Sequence, residues 1–448
     1  MKNNDGMNTT VILCAAVAAL GGLLFGFDTV VISGCQEQLK ALFTLTGFQQ
    51  GFVTASALIG TVIGALVAAK PGDLWGRRDS LKVTGLLYLI CAVGCGLAWN
   101  LSSLIAFRLI GGVAVGASSA LGPLYLAEIS PAVWRGRLVA FFQVNIVLGV
   151  LLAFLSNFAL GALSLGSDEW RWKLGVQALP ALAFFVLLFR IPRSPRWLMM
   201  RDLETEATAV LKTLGTSDVA ALVASIRESL HEERRNKTVP LFCRAHAKPI
   251  FLAFTVAFFN QLDGINALMY YLNPIFTMAG FDKVSGDGQA VVIGVANLVA
   301  TLVGMAIIDS AGRRPLLLWG AVGTGACLGG VAWLFNGTAH HGWLIFLLVG
   351  YIICHAFGQG AVIWVYISEV FPNAVRAKGQ TLGSFTHWFF AMLVSWTFPV
   401  FARDAGQPHA GAPFAFFAVM MIAQVAVVWF FYPETKRVSL EDMNRRMK

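Results

Sequence analysis

Charge is scarce in this chain. Of its 448 residues only 13% are Asp, Glu, Lys or Arg, about half the share of an ordinary soluble domain. With 57% of residues in the apolar set, both a soluble globule and a disordered chain are excluded. Cysteine is equally uninformative as a scaffold: Cys14, Cys35, Cys91, Cys95, Cys243, Cys327 and Cys354 make an odd number, have no metal-ligand spacing and sit mostly in apolar runs, as small core residues do. A nucleophile paired with a base, a His/Cys metal cluster and a phosphate loop of the G-x-x-x-x-G-K type are all missing, which leaves an enzyme reading without support and calls for no cofactor. The N-terminal MKNNDGMNTT carries one lysine and runs into an apolar stretch too long for a signal-peptide core, so it reads as leading into a first span.

Long apolar runs are what the sequence does have. They fall at about 10–33, 48–69, 82–100, 102–126, 138–163, 173–191, 249–276, 289–309, 315–335, 343–367, 379–402 and 412–432, and a span needs roughly 20 mostly apolar residues. The expected fold is therefore all-α and integral to a lipid bilayer, with twelve transmembrane helices in two six-helix halves, 1–191 and 249–432. A polar stretch at 192–248, with the helical patterns ETEATAVLKTLG and ALVASIRESLHEERRNK, separates the halves, and 433–448 forms a tail.

The net charge of +9 is a topology signal rather than a mark of nucleic-acid binding. One set of loops holds Lys70, Arg77, Arg78, Lys82, Arg135, Arg137, Arg313, Arg314, Arg376 and Lys378, and the tail from Lys436 is basic as well. The opposite set holds only Lys40, Arg171, Lys173, Lys283 and Arg403. The positive-inside rule then puts the first set, the central stretch and both termini in the cytoplasm of a cell-membrane protein.

The halves repeat one another. GDLWGRR at Gly72–Arg78 returns as IDSAGRR at Ile308–Arg314 with an offset of 236. LAEISPAVWRGR around Glu128 returns as ISEVFPNAVRAK around Glu369, and PRSPR at Pro192 as PETKR at Pro433, both with an offset of 241. Three motif pairs in one order imply two parallel, pseudo-symmetric halves with a path between them.

Taken together, GFDTVVISG, GDLWGRR, RLIGGVAVG, LYLAEISPAVWRGR, SPRWL, NQLDGINALMYY, DSAGRRP, WVYISEVFPNAVRAKG and PETK resemble the sugar porter family of the major facilitator superfamily, in particular bacterial proton-coupled symporters for glucose, xylose or galactose. The resemblance implies import of a neutral monosaccharide with a proton by alternating access, by a chain working as a monomer. A facilitative uniporter of the same fold and a non-transporting membrane sugar sensor are the rival readings.

Candidate residues follow from the chemistry each task needs. Asp28 is stranded in LLFGFDTVVIS and Arg108 in SLIAFRLIGG. A bare carboxylate at that depth costs at least a few kcal/mol, so it needs a partner or a proton. The resemblance sets the two side by side, and since arginine keeps its charge, proton exchange falls to Asp28. A polyol is matched by amides, which donate and accept, and by indole faces. Gln143, Asn260, Gln261, Asn266, Asn297, Trp364, His387 and Trp388 supply them, and by similarity they face the central cavity with Phe25 and Tyr270 nearby. Gln261 and Asn266 lie about 140° apart on an ideal helix, so Gly264 between them is expected to break the seventh span. A third set, Asp73, Arg77, Glu128 and Arg135 with its repeat Asp309, Arg313, Glu369 and Arg376, matches the groups that latch the cytoplasmic side in the family. Three departures stand out: Arg193 where the family usually has Glu, Asp263 at a commonly small position, and Asn260 for a frequent Gln.

Overall fold

The structure is a computed structural model that describes residues 8–131, 133–236, 239–337, 341–404 and 406–436. Residues 1–7 and the basic tail beyond Lys436 lie outside them. Every regular element among the described residues is helical. Among the described residues ten helical stretches are long and apolar enough to cross a membrane: Thr9–Leu42, Gly47–Leu74, Arg77–Gly96, Leu101–Ile129, Arg135–Ala162, Arg244–Tyr270, Ser285–Ala311, Arg313–Asn336, Leu344–Val370 and Ala412–Phe431.

The remaining two expected spans differ for local reasons. The sixth is divided into Glu169–Gly175 and Ala178–Leu187, with Gln177 at the junction. The eleventh is one helix, Arg376–Phe401, long enough to cross but diluted by Gln380, Thr381, Ser384, Thr386 and His387. Two further spans are interrupted. The seventh stops at Leu262 and restarts at Ile265 around Gly264, whose φ of 85° lies in the left-handed region, where only glycine is at ease. The tenth passes through a π-helical turn at Ala356–Gly360, a feature that often marks a functional site.

The helices gather into two compact units, one of Met1–Thr29, Ile59–Val150 and Leu174–Thr238 and the other of Val30–Leu58, Leu151–Lys173 and Val239–Lys448. The first has a core of Val11, Leu24, Tyr88, Leu121, Phe142 and Phe184 among others. Its first and fifth spans touch backbone to backbone: a Cβ at Gly26 would stand 1.8 Å from the Ile146 carbonyl oxygen, and one at Gly149 2.0 Å from that of Leu23, the small-residue packing favoured where lipid gives no hydrophobic drive. The helices Pro195–Met200, Glu204–Thr213 and Val219–Asn236 fold onto one another through Trp197, Leu198, Leu211 and Val223. Ser194 caps the first of them by accepting from Trp197 N at 3.2 Å, and Trp197 Nε1 donates to the Asp73 carbonyl at 2.9 Å. The second unit is built around Leu252, Val256, Leu317, Ile363, Tyr366 and Val370.

Candidate functional site: a buried ion pair and a broken-helix amide cluster

In the first unit Asp28 and Arg108 meet as expected from the resemblance. Arg108 Nη1 lies 3.1 Å from Asp28 Oδ1 and 3.4 Å from the Asp28 carbonyl, and the two residues are 2% and 1% exposed. Gly111, one turn along the fourth span, leaves room for the Cys91 thiol, whose sulfur would stand 2.3 Å from a Cβ there and is 4.0 Å from Asp28 Oδ1. With so little water, the carboxylate's charge is balanced by one guanidinium and its proton affinity depends on that contact. Gln143 and Phe25 also belong to this unit. Both are half-buried, and Phe25 packs on the apolar core.

In the second unit the break at Gly264 undoes the angular separation of Gln261 and Asn266. Asn266 Nδ2 donates to Gln261 Oε1 at 2.5 Å, Gln261 Nε2 donates to Asn260 Oδ1 at 2.8 Å, and His387 Nδ1 is 3.1 Å from Gln261 Nε2. The His387 ring lies 5.0 Å from the Trp364 ring and 4.8 Å from the Trp388 ring, centroid to centroid. Six of the expected residues are thus one cluster of three amides, an imidazole and two indoles. Gln261 is wholly buried, whereas Trp364 is 38% exposed. Asn297, on the eighth span, sits 3.5 Å from Thr301 Oγ1 one turn on, and Tyr270 is buried at the end of the restarted seventh helix.

The charged repeat forms two closed sets. Arg77 pairs with Asp73 and Glu128, each at 3.0 Å. Arg313 pairs with Asp309 at 3.1 Å and Glu369 at 2.9 Å. Arg135 is exposed and joins neither set; Arg376 is half-buried, with Nε and Nη2 enclosed and without hydrogen-bond partners among the described residues.

Two arrangements were not anticipated. Lys173, counted above as a loop charge, is 0% exposed. Its ammonium lies 2.8 Å from Glu169 and 3.4 Å from Asp287 and donates to the Gly34 carbonyl at 3.1 Å. Asn273 donates to Asp287 and accepts from Ser33. The second is a carboxylate–imidazole contact of Asp263 with His355 at 2.5 Å. A lone histidine in the apolar run GYIICHAFG was the available signal.

A helical membrane chain with a stranded acid–base pair and a polar cluster at a helix break has the anatomy of a secondary transporter. A family model described as "Sugar (and other) transporter" matches residues 14–447, and the chain belongs to that family. It is a multi-pass membrane transporter rather than an enzyme. It is 33% identical to the D-xylose-proton symporter of Escherichia coli (strain K12), over 98% of this chain and 96% of that one, and 33% identical to the arabinose-proton symporter of Bacillus subtilis (strain 168), over 97% and 94%. Among solved structures, the xylose transporter of E. coli in a partially occluded inward-open conformation superposes with a TM-score of 0.86 at 31% identity, covering 96% of this chain and 100% of that one. The architecture is that of the major facilitator superfamily.

Proposed function

We propose that the chain imports a neutral monosaccharide together with a proton across the cell membrane, as a monomer with both termini in the cytoplasm. The observation that carries the reading is the Asp28–Arg108 pair, a titratable acid 2% exposed with a permanently charged partner at 3.1 Å. Conformational change that lengthens this contact alters the carboxylate's hold on a proton, which is the physics of a coupling switch. The relatives named as proton symporters support the same reading. The amide and indole cluster of the second unit supplies matching chemistry for a polyol: amides and the neutral imidazole each offer donors and acceptors to hydroxyls, and the indoles offer apolar faces. Residues 1–191 and 249–432 serve as the two repeats, joined by 192–248. Asp73, Arg77, Glu128, Asp309, Arg313 and Glu369 serve as the cytoplasmic latch residues.

The test is uptake of labelled pentoses and hexoses into proteoliposomes with and without an inward proton gradient, for the wild type and Asp28→Asn. The wild type accumulates sugar only with the gradient, and Asp28→Asn loses accumulation while keeping sugar exchange. Accumulation by the mutant would remove Asp28 from coupling, and gradient-independent equilibration by the wild type would make the protein a uniporter.

A further inference from the structure

The break in the seventh span leaves backbone groups that a continuous helix would satisfy, and the residue at the break is Asp263. Its N–H closes the preceding helix on Phe259 O at 3.0 Å, and its Oδ1 accepts from Ile265 N at 2.9 Å, bridging Gly264. The two acceptors left over both go to the tenth span. Tyr351 Oη donates to the Asp263 carbonyl at 3.1 Å, and His355 Nδ1 lies 2.5 Å from Asp263 Oδ2. Tyr351 and His355 are one turn apart, their rings nearly parallel with centroids 6.2 Å apart. Directly after His355 the tenth span enters its π turn. A Cβ at Gly264 would stand 2.5 Å from the Phe417 ring of the last span, so the far side of the break is packed tight. Asp263 is 0% exposed and His355 9%. His387, on the eleventh span, lies within electrostatic reach of His355, and Cys327 within reach of Tyr351.

Gln261 and Asn266 flank this joint, two residues before and three after Asp263. Their 2.5 Å contact exists only at the joint's present angle, since a straight helix would aim them about 140° apart. We infer that Asp263 and His355 are a positioning pair for the amides: the carboxylate–imidazole contact fixes the angle at which Gln261 and Asn266 address the sugar, and so sets which sugars are preferred. The inference rests on the reading of the amides as the sugar site. Asp263 and His355 act through the amides, and His355 closes the helix Leu344–His355 just before the π turn begins.

The experiment is equilibrium binding of labelled D-xylose and D-glucose to the purified full-length protein in detergent. Hydrogen–deuterium exchange over residues 259–270 is measured alongside. Asp263→Ala and His355→Ala each weaken binding of the preferred sugar about tenfold, the scale of one lost hydrogen bond to a charged group, change the ratio between the two sugars, and speed exchange at the joint. The double variant Asp263→Asn with His355→Gln restores the contact with neutral groups and recovers most of the affinity and the ratio. Gln261→Ala and Asn266→Ala are run in the same assay. If they weaken binding while the Asp263 and His355 variants leave affinity, ratio and exchange as in the wild type, the pair has no positioning role. If neither amide variant weakens binding, the amide site itself is wrong, whatever the exchange shows. Should the alanine variants fail to fold, the double polar variant and His355→Phe alone decide: since phenylalanine has no donor for the carboxylate, a His355→Phe variant that binds as well as the double, with the wild-type ratio, overturns the pairing.

Discussion

The two copies of the Gly-Arg-Arg motif solve one problem with charges exchanged. In both, a glycine at φ 94° precedes the helix, Gly76 in one and Gly312 in the other. An arginine then reaches back to the preceding turn and across to a glutamate, and a hydroxyl donates to that glutamate: Ser194 to Glu128 at 2.5 Å and Thr435 to Glu369 at 2.6 Å. The residue before the hydroxyl is where they part. Glu434 caps the helix of the second copy, accepting from Arg313 N and Arg314 N, each at 3.0 Å. The first copy has Arg193 there, and the acid sits inside the helix instead: Asp79, in the first turn, holds Arg193 at 3.2 Å, Arg78 at 3.0 Å and Lys82 at 2.9 Å. Either way a carboxylate faces the positive end of the helix dipole. A substitution that looks like a lost acid is an acid moved by one segment of chain.

Burial separates the copies further, and substitution shows by how much. The Glu128 side chain is 4% exposed and that of Glu369 25%. Arg77→Ala therefore strands a dry carboxylate and should cost about 3–5 kcal/mol, the scale for breaking a buried pair. Arg313→Ala leaves a carboxylate that water can reach and should cost about half as much or less. Thermal unfolding of the two variants in the same detergent checks the order, and equal losses would erase the distinction. Next in size, Glu434→Ala removes a cap from two amides and should cost about 1 kcal/mol, read by the same melt; no shift would mean that water replaces it without penalty. The smallest effect is the most diagnostic. Arg193→Glu sets an acid beside Asp79 and should destabilise by roughly 0.2–1 kcal/mol, yet in an Asp79→Ala background it should be neutral or stabilising. Without that change of sign the two copies are not charge-exchanged versions of one cap.

Much of this was legible in the chain. Asp28 and Arg108 announce themselves because a charge in an apolar run needs a reason, and the interruption at Gly264 because the amides around it cannot share a helical face. The π turn was not legible, since the two glycines of Ala356–Gly360 are also what close packing between membrane helices uses. The Lys173 cluster was hidden by counting: a lysine near a span end looks the same in sequence whether it meets solvent or two carboxylates. Arg193 was read as a missing acid because sequence comparison aligns positions, whereas electrostatics cares only that some carboxylate reaches the helix end.

The Lys173 cluster has a consequence in time as well as space. Ser33, Glu169 and Lys173 are made long before Asn273 and Asp287, which complete their contacts. At a synthesis rate of about 5–20 residues per second, the 114 positions between Lys173 and Asp287 correspond to roughly 6–23 s. During that interval the lysine has Glu169 in the chain but not yet Asp287. Only when the eighth span arrives does the knot of side chains draw shut, so this end of the unit is finished late in the protein's birth, whatever order its helices were inserted in.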